Sequence, residues 1–387
     1  MGEGWGFALP TRVRFGDGVS AELAGEVRAL GARPFVVTDP GVRAAGLVDR
    51  LLAPFADAGL AVEVFDGVSA NPRDHECAEA ADRARQFGAD AVVGIGGGSP
   101  LDAAKAVAVL LANGGTVQEW ESPKPLAHPA LPIIAVPTTA GTGSEVTRSA
   151  VITDTARRFK LTVKGPSTFP RVALVDPDLT RSVPPHVRAA TGMDVLTHAV
   201  EAYTCRRANP VSDALALHAT RLVAEHLVRT MQAPEDDAGR AGMLTASLIA
   251  GMAFGHADVA AVHCLAEAVG GRYDTPHGVA NAVFLPHVFA YNAPAAPGRH
   301  ADLARALGAA TDSVPASEAA GAGADALAAL AREVGIPRLA ELPGFDPADF
   351  PVIAEASVRN GSNPSNAREM DEAAYVEILE HAWRAGT

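Results

Sequence analysis

Four side chains able to bind a metal ion stand out in the second half of the sequence. Asp194 precedes His198 by four residues in PHVRAATGMDVLTHAV (185–200), and residues with this spacing share a face of a helix. His263, in AAVHCLAEAVGG, and His277, in YDTPHGVAN, supply two further imidazoles. An Asp-x-x-x-His pair alone is common as a solvated ion pair, but the two additional histidines favour a metal site. Three histidines and one carboxylate suit Fe²⁺ or Zn²⁺, and sequence alone does not choose between these metals.

A divalent cation with an open position beside a nicotinamide cofactor would support one reaction in particular. The cation would lower the pKa of a bound alcohol and stabilise the alkoxide, so that a hydride leaves the adjacent carbon for the cofactor. In the reverse direction it would polarise an aldehyde or ketone carbonyl. The part of the chain before Asp194 would have to supply whatever reacts at the metal.

The first half of the sequence contains the elements that would position such a cofactor. Short β-rich segments occur at 34–41, 61–68, 90–99 and 131–145, and segments of helical composition lie between them. This alternation predicts a parallel sheet covered by helices on both faces, with ligands gathered at the carboxyl ends of the strands. Further along, 149–154 and 159–165 flank a polar turn and predict a β-hairpin, followed by a last strand in 171–179.

Two of the predicted strands end in loops suited to phosphate. The glycine loop consists of Gly96, Gly97, Gly98 and Ser99, and the following helix, predicted to begin near Pro100, would direct its free N–H groups at an anion. The threonine loop, residues 138–144, adds the hydroxyls of Thr138, Thr139 and Thr142. Each loop alone also fits a simple tight turn, but two on successive strands favour a nucleotide.

The form of these loops excludes the commonest nucleotide motifs. Neither loop ends in the Gly-Lys-Ser/Thr of a P-loop, which disfavours a kinase or ATPase. No G-x-G-x-x-G is followed by an acid about 20 residues on, as in the ordinary dinucleotide fold. The acid here is Asp39, at the end of the first predicted strand. Its charge would bind the adenosine ribose hydroxyls and repel a 2′-phosphate, favouring NAD over NADP, unless Asp39 only forms the turn in Asp-Pro-Gly.

Length and composition predict a soluble protein with two or three domains. A chain of 387 residues is too long to form one small domain. The Pro184-Pro185 pair separates a first half that contains strands from a second half of helical segments. We predict an α/β dinucleotide-binding domain at 1–183 and an all-helical metal-binding and catalytic domain at 184–387. A net charge of −13 disfavours nucleic acid and anionic membranes as partners. Three scattered cysteines and the lack of a spanning apolar run predict a cytoplasmic protein.

Several long motifs together resemble the iron-containing (group III) alcohol dehydrogenases. They are GGGSPLDAAKA, PTTAGTGSEVTRSAVITD, DPDLT, GMDVLTHAVEAY and PHGVANAVFLPHV, in the family's order and at comparable spacings. The resemblance spans about residues 10 to 290. It implies an α/β nucleotide domain followed by an all-α metal domain, the dehydroquinate synthase-like fold.

The resemblance also implies roles for individual residues. It implies the metal ligands Asp194, His198, His263 and His277, with iron as the metal. It implies NAD contacts from Asp39, Gly96, Gly97, Gly98, Ser99, Thr138, Thr139, Thr142, Lys160 and Leu179. Homodimers are common in such enzymes, so a homodimer acting on a small alcohol or aldehyde is expected.

Two residues depart from the family pattern. Many members carry a histidine four residues after the third ligand, where this chain has Glu267, and Asp258 replaces an expected glycine. An extra carboxylate of this kind would relay protons, bind a substrate hydroxyl or amine, or pair with a neighbouring arginine such as Arg272, and the structural role is favoured. These departures leave the substrate open.

Other functions remain compatible with the sequence. A maleylacetate reductase shares the fold, but members of that branch often lose the metal set that this chain keeps. A sugar-phosphate cyclase or glycerol-phosphate dehydrogenase would call for a more basic site. A non-catalytic nucleotide-binding protein would not need the four ligands.

Overall fold

The computed structural model describes residues 4–385, and backbone contacts divide them into two compact units. One unit comprises residues 9–183, and the other comprises 184–385 together with 4–8. The predicted domain ranges therefore differ from these units in the short segment 4–8. The outermost parts of those ranges, 1–3 and 386–387, lie outside the described residues.

The unit formed by 9–183 is built on a parallel sheet with the strand order β1-β8-β5-β4-β2-β3. A separate antiparallel pair, β6-β7, joins Ser149 to Lys164 at one end and Asp154 to Phe159 at the other. The strands are β1 (Arg12–Phe15), β2 (Pro34–Val37), β3 (Glu63–Phe65), β4 (Ala91–Gly96), β5 (Ile133–Pro137), β6 (Ser149–Asp154), β7 (Phe159–Lys164) and β8 (Val172–Val175).

Helices cover both faces of this sheet. Phe35 and Val37 of β2 belong to one buried cluster, whereas Val36 between them belongs to another. Because successive strand residues point to opposite faces, both faces must be buried, and this explains the continuous apolar runs of β2, β4 and β5. The helices of this unit are α1 (Leu23–Leu30), α2 (Pro40–Ala44), α3 (Leu47–Leu52), α4 (Asp74–Phe87) and α5 (Gly98–Asn113).

The structure confirms the predicted strands and hairpin of the first half and adds one strand. β1 was not predicted because its four residues, RVRF, are charged at alternate positions and mostly exposed. It pairs in parallel with β8 at the sheet edge, where only one side needs a partner. The helix after the glycine loop begins at Gly98, two residues before the expected Pro100.

The second unit is helical, and its described residues contain no strand, as predicted. Its helices are α6 (Pro185–Thr204), α7 (Pro210–Gln232), α8 (Asp237–His256), α9 (Ala261–Tyr273), α10 (His277–Asn292), α11 (Pro297–Ala306), α12 (Ala316–Glu333), α13 (Phe350–Val358) and α14 (Glu372–Arg384).

The three cysteines, Cys77, Cys205 and Cys264, are buried free thiols, as their spacing predicted. Within residues 4–385 no single helix has the length and apolarity to cross a membrane; α8 and α9 meet that test only as a pair, across a bend of 102°.

Candidate metal centre and cofactor loops

The four predicted metal ligands come together in the helical unit. Their ligand atoms all lie within 4.8 Å of one another. We call this set the ligand cluster; it consists of Asp194, His198, His263 and His277. Asp194, His198 and His263 are at most 4% exposed, whereas the His277 side chain is 27% exposed. Buried acceptor atoms this close together require a cation or hydrogen-bond donors among them.

Three helices supply the ligand cluster. α6 begins with Pro185 at its first position and carries Asp194 and His198 on one face, with His198 Nδ1 4.0 Å from Asp194 Oδ2. His263 lies in the first turn of α9, and His277 is the first residue of α10. The positions of His263 and His277 are therefore set by the beginnings of α9 and α10.

A buried amide marks the point at which the ligand atoms converge. Asn281 Nδ2 lies 2.6 Å from Asp194 Oδ1, 3.1 Å from His277 Nε2 and 3.3 Å from His263 Nε2. One nitrogen therefore faces acceptor atoms from three ligands. This convergence of one carboxylate oxygen and imidazole nitrogens fits a divalent cation of the iron or zinc type.

A second carboxylate, Glu201, holds His263 from behind. Its side chain accepts hydrogen bonds from His263 Nδ1 at 2.6 Å, Val262 N at 2.6 Å and Ala260 N at 2.8 Å. The bond to Nδ1 places the imidazole proton there and leaves Nε2 with its lone pair directed at the ligand cluster. Glu201 therefore fixes both the tautomer and the ring orientation of a candidate metal ligand.

The same contacts set the charge balance of the cluster. Burial lowers the pKa of His263, but the bond and charge of Glu201 outweigh it and raise that pKa above its usual value, with Asp194 and Glu267 acting in the same direction. Burial raises the pKa of Asp194, and the three imidazoles with the Asn281 amide bring it below the usual value. Asp194 is therefore ionised, as a metal ligand must be.

We expect Glu201→Gln to weaken metal binding by about 10- to 100-fold, because loss of a carboxylate behind a metal-bound histidine typically has this effect. Competition with a chromophoric chelator measures the affinity without any assay of turnover. Glu225→Gln is the matched control, since this glutamate is 66% exposed on α7. Equal metal affinities in the Glu201 variant and the wild type would rule out the positioning role.

The predicted catalytic residue Glu267 and the second departure from the family pattern, Asp258, are both hydrogen-bonded. Asn360 Nδ2 donates to Glu267 Oε2 at 2.6 Å. Asp258 accepts from Ser362 Oγ at 3.1 Å and Ser365 Oγ at 2.6 Å, with Arg207 3.4 Å away.

Asp258 pairs with Arg207 and not with Arg272, the arginine suggested from the sequence. Arg272 binds both oxygens of Asp349, at 2.7 and 2.6 Å, because Asp349 immediately precedes α13 and lies beside the end of α9. The hydrogen bonds from Ser362 and Ser365 give Asp258 a structural role.

In the other unit, the glycine and threonine loops lie side by side. They follow the paired strands β4 and β5, and Thr138 N donates to Gly96 O at 2.9 Å. A Cβ on Gly97 would lie 3.0 Å from Thr139 Oγ1, and one on Gly98 would overlap the Thr142 side chain. The two loops approach so closely that a Cβ at Gly98 has no room and one at Gly97 would make a tight contact. The structure thus brings together the residues predicted for phosphate binding.

Three other predicted cofactor residues, Asp39, Lys160 and Ser99, form hydrogen bonds within the same unit. Asp39 caps α2 by accepting from Val42 N at 2.9 Å, and its Oδ2 lies 3.3 Å from the position of a Cβ on Gly96. Asp39 is thus both the turn residue and a neighbour of the glycine loop. Lys160 Nζ donates to Asn71 Oδ1 at 2.8 Å, and Ser99 Oγ donates to Ala70 O.

Leu179 is fully buried in the core cluster that contains β8, within the turn Pro177–Thr180. It supports the carboxyl end of β8 by packing.

A buried lysine connects the two loops and was not singled out by the sequence analysis. Lys105, fully buried on α5, donates from Nζ to Ser144 Oγ at 2.6 Å and Ser149 O at 2.8 Å. Ser144 Oγ in turn donates to Asp102 Oδ1 at 2.6 Å, and Asp102 lies 3.5 Å from Lys105. The helix that starts at the glycine loop is thereby tied to the end of the threonine loop. The only sign of this contact in the sequence was the presence of two charged residues, Asp102 and Lys105, in an otherwise apolar helix.

Comparison with known proteins gives matches over almost the whole chain. The sequence model described as iron-containing alcohol dehydrogenase matches residues 10–177, and that of the C-terminal region of the Fe-containing alcohol dehydrogenase family matches 188–383. A 1,3-propanediol dehydrogenase from Citrobacter freundii is 40% identical over 380 residues, covering 97% of this chain and 98% of the relative.

Solved structures of similar proteins agree with the fold. A 1,3-propanediol oxidoreductase superposes with a TM-score of 0.94 at 38% identity, covering 98% of this chain and all of the other. A sulfoacetaldehyde reductase from Bifidobacterium kashiwanohense, solved in complex with NAD⁺, superposes with a TM-score of 0.86 at 32% identity, covering 98% and 99% of the two chains.

Proposed function

The chain belongs to the iron-containing alcohol dehydrogenase family and is a metal-dependent, NAD(H)-linked alcohol dehydrogenase or aldehyde reductase; we propose that the ligand cluster holds its catalytic metal. The observation that carries this proposal is the convergence of four ligand atoms within 4.8 Å of one another. Iron is the metal in the family's description, and the cluster's imidazoles and single carboxylate suit it.

The chemistry divides between the bound groups and the chain. A divalent cation supplies a Lewis acid for the oxygen of an alcohol or carbonyl, and the nicotinamide accepts or gives the hydride. Asp194 contributes an ionised carboxylate to the cation, and Glu201 keeps Nε2 of His263 available as a ligand. Phe254 stacks on His198 with ring centroids 4.3 Å apart and excludes water from that side of the imidazole.

We assign cofactor binding to residues 1–183 and metal binding with catalysis to 184–387. In the first of these the glycine and threonine loops would hold the pyrophosphate through backbone N–H groups, the start of α5 and threonine hydroxyls. Asp39 would bind the adenosine ribose. Lys160, held by Asn71, would complete the contacts, and Leu179 would act from the core by packing behind the end of β8.

We expect Asp39→Asn to shift cofactor preference toward NADP. Asparagine keeps an oxygen that caps α2, so the substitution removes the charge without removing the cap. The ratio of kcat/KM for NAD to that for NADP should fall by about tenfold or more, since hydrogen bonds to charged groups contribute about 1.5–3 kcal/mol.

Asp371→Asn is the control for this substitution. Asp371 caps α14 by accepting from Ala374 N, so the same chemical change is made at another helix start. A ratio unchanged in the Asp39 variant would show that Asp39 acts only as a turn residue.

We propose a short-chain alcohol or the corresponding aldehyde as the substrate, on the basis of the relatives that act on 1,3-propanediol. We further propose a cytoplasmic homodimer; three buried free thiols are consistent with a reducing compartment. Neither a maleylacetate reductase nor a non-catalytic nucleotide-binding protein is favoured by any contact of the ligand cluster.

A panel of short alcohols and aldehydes tests the proposed function. Purified protein reconstituted with Fe²⁺ under anaerobic conditions should change NADH absorbance with at least some members of the panel. Zn²⁺ reconstitution in parallel identifies which metal supports turnover. If no member of the panel were turned over by metal-loaded, NADH-binding protein, the proposed function would be wrong.

A further inference from the structure

Helix α9 carries a carboxylate one turn beyond a metal ligand. Glu267 follows His263 by four residues, so that both side chains lie on the same face of the helix. His263 is buried, whereas Glu267 is partly exposed. An acidic group thus lies close to the ligand cluster and is accessible to solvent.

The Glu267 carboxylate is held in a fixed orientation by Asn360. Asn360 Nδ2 donates to Glu267 Oε2 at 2.6 Å, and Asn360 Oδ1 accepts from Ser362 N at 2.9 Å. Since the two ends of the amide have different partners, its orientation is determined. The Asn360 bond therefore positions the carboxylate, which stays partly exposed to solvent.

The charges around the ligand cluster favour one kind of substituent. Asp194 belongs to the ligand cluster, Glu201 binds His263 directly, and Glu267 acts on His263 as a nearby negative charge that raises its pKa. With neutral imidazoles, the combined charge of these three carboxylates exceeds that of a divalent ion. A positively charged or hydrogen-bond-donating group is therefore favoured beside Glu267, and an anionic group is disfavoured.

We propose that Glu267, positioned by Asn360, is a specificity residue that binds a donor substituent of the substrate, either an ammonium or a second hydroxyl. This inference rests on the proposed function and names its substrate class as short amino alcohols and diols, or the corresponding aldehydes. The ammonium binds more strongly than the hydroxyl, because its hydrogen bond is formed between two charged groups. Carboxylated, sulfonated and phosphorylated alcohols are poor substrates.

Substrates of equal chain length give the most direct test. The wild type and Glu267→Gln, both loaded with metal, are compared on 1-propanol, 1,3-propanediol and 3-amino-1-propanol. In the wild type kcat/KM should rise in that order. In the variant the ratio of kcat/KM for 3-amino-1-propanol to that for 1-propanol should fall by about tenfold or more, since a hydrogen bond between charged groups is lost.

Two further measurements separate binding from a structural role. The inhibition constant of propylamine against 1-propanol should rise in Glu267→Gln by a similar factor, while metal content stays the same. Asn360→Ser should give a smaller change in the same ratio, expressed mainly in KM. Glu355→Gln, an exposed glutamate of α13 that pairs with Arg359, is the matched control and should leave the ratio at the wild-type value.

The outcomes distinguish this inference from the proposed function. Turnover of 1-propanol with equal substrate ratios in the wild type and the Glu267 variant would overturn the specificity role and leave the dehydrogenase function intact. Absence of turnover for every alcohol and aldehyde in metal-loaded protein would overturn both.

Discussion

The His263→Ala variant should lose its metal and its turnover together while it still binds NADH. His263 supplies one of four converging ligand atoms and is the imidazole that Glu201 orients, so its removal leaves an incomplete set around Asp194. Lewis-acid stabilisation amounts to several kcal/mol, and each 1.36 kcal/mol is a factor of ten, so we expect kcat to fall by about a thousandfold or more.

The measurements for this variant are metal content, kcat and NADH fluorescence titration. NADH binding should persist because the glycine and threonine loops belong to the unit formed by 9–183, whereas His263 belongs to the helical unit. His218→Ala, at an exposed position of α7, controls for the loss of an imidazole. Retention of bound metal and of wild-type kcat in the His263 variant would contradict the assignment of this ligand.

Gly278→Ala should also impair metal binding, although Gly278 is not itself a ligand. A Cβ at this position would lie 2.5 Å from Ala190 O and 2.8 Å from Ala190 C. These are backbone atoms of α6, which cannot rotate away as a side chain can, so α10 and α6 must separate. Gly278 is next to His277, and Ala190 precedes Asp194 by one helical turn.

The expected effect follows from the narrow distance tolerance of metal sites. Ligand distances hold to within about 0.2 Å, so a separation of the two helices should lower metal affinity by about tenfold or more. Overpacking should also reduce the free energy of unfolding by about 1–3 kcal/mol. Chelator competition and thermal unfolding measure the two effects.

Gly321→Ala on α12 is the matched control, because a Cβ there meets nothing within 4 Å. The helical position of Gly321 should make alanine slightly stabilising. If Gly278→Ala bound metal as tightly as Gly321→Ala, the close approach of α6 and α10 would not be what sets the ligand geometry.

Much of the site could be predicted because its signals are local. Asp194 and His198 share a helical face, and the glycine and threonine loops each follow an apolar strand. These features depend on spacing within a few residues, which a sequence displays directly. His263 and His277 were added to the pair as further imidazoles of the kind that bind metals, and the family resemblance then implied the same four residues.

The supporting contacts could not be predicted in the same way because they connect distant segments. Glu201 binds the backbone and side chain of residues about 60 positions later, and Asn360 reaches Glu267 across 93 positions. One signal for Glu201 was available: it follows Asp194 by seven residues, two helical turns, and so lies on the ligand-bearing face. Arg272 likewise pairs with Asp349, 77 positions later in the chain, and no local feature of the sequence indicates this contact.

The central claim is that the ligand cluster holds the metal on which turnover depends. The most direct measurement follows metal content by elemental analysis alongside kcat, first in chelated protein and then during anaerobic titration with Fe²⁺. We predict that chelated protein is inactive, that activity returns in proportion to bound metal, and that Asp194→Ala protein neither binds the metal nor recovers. Full turnover in protein without detectable metal would contradict this account.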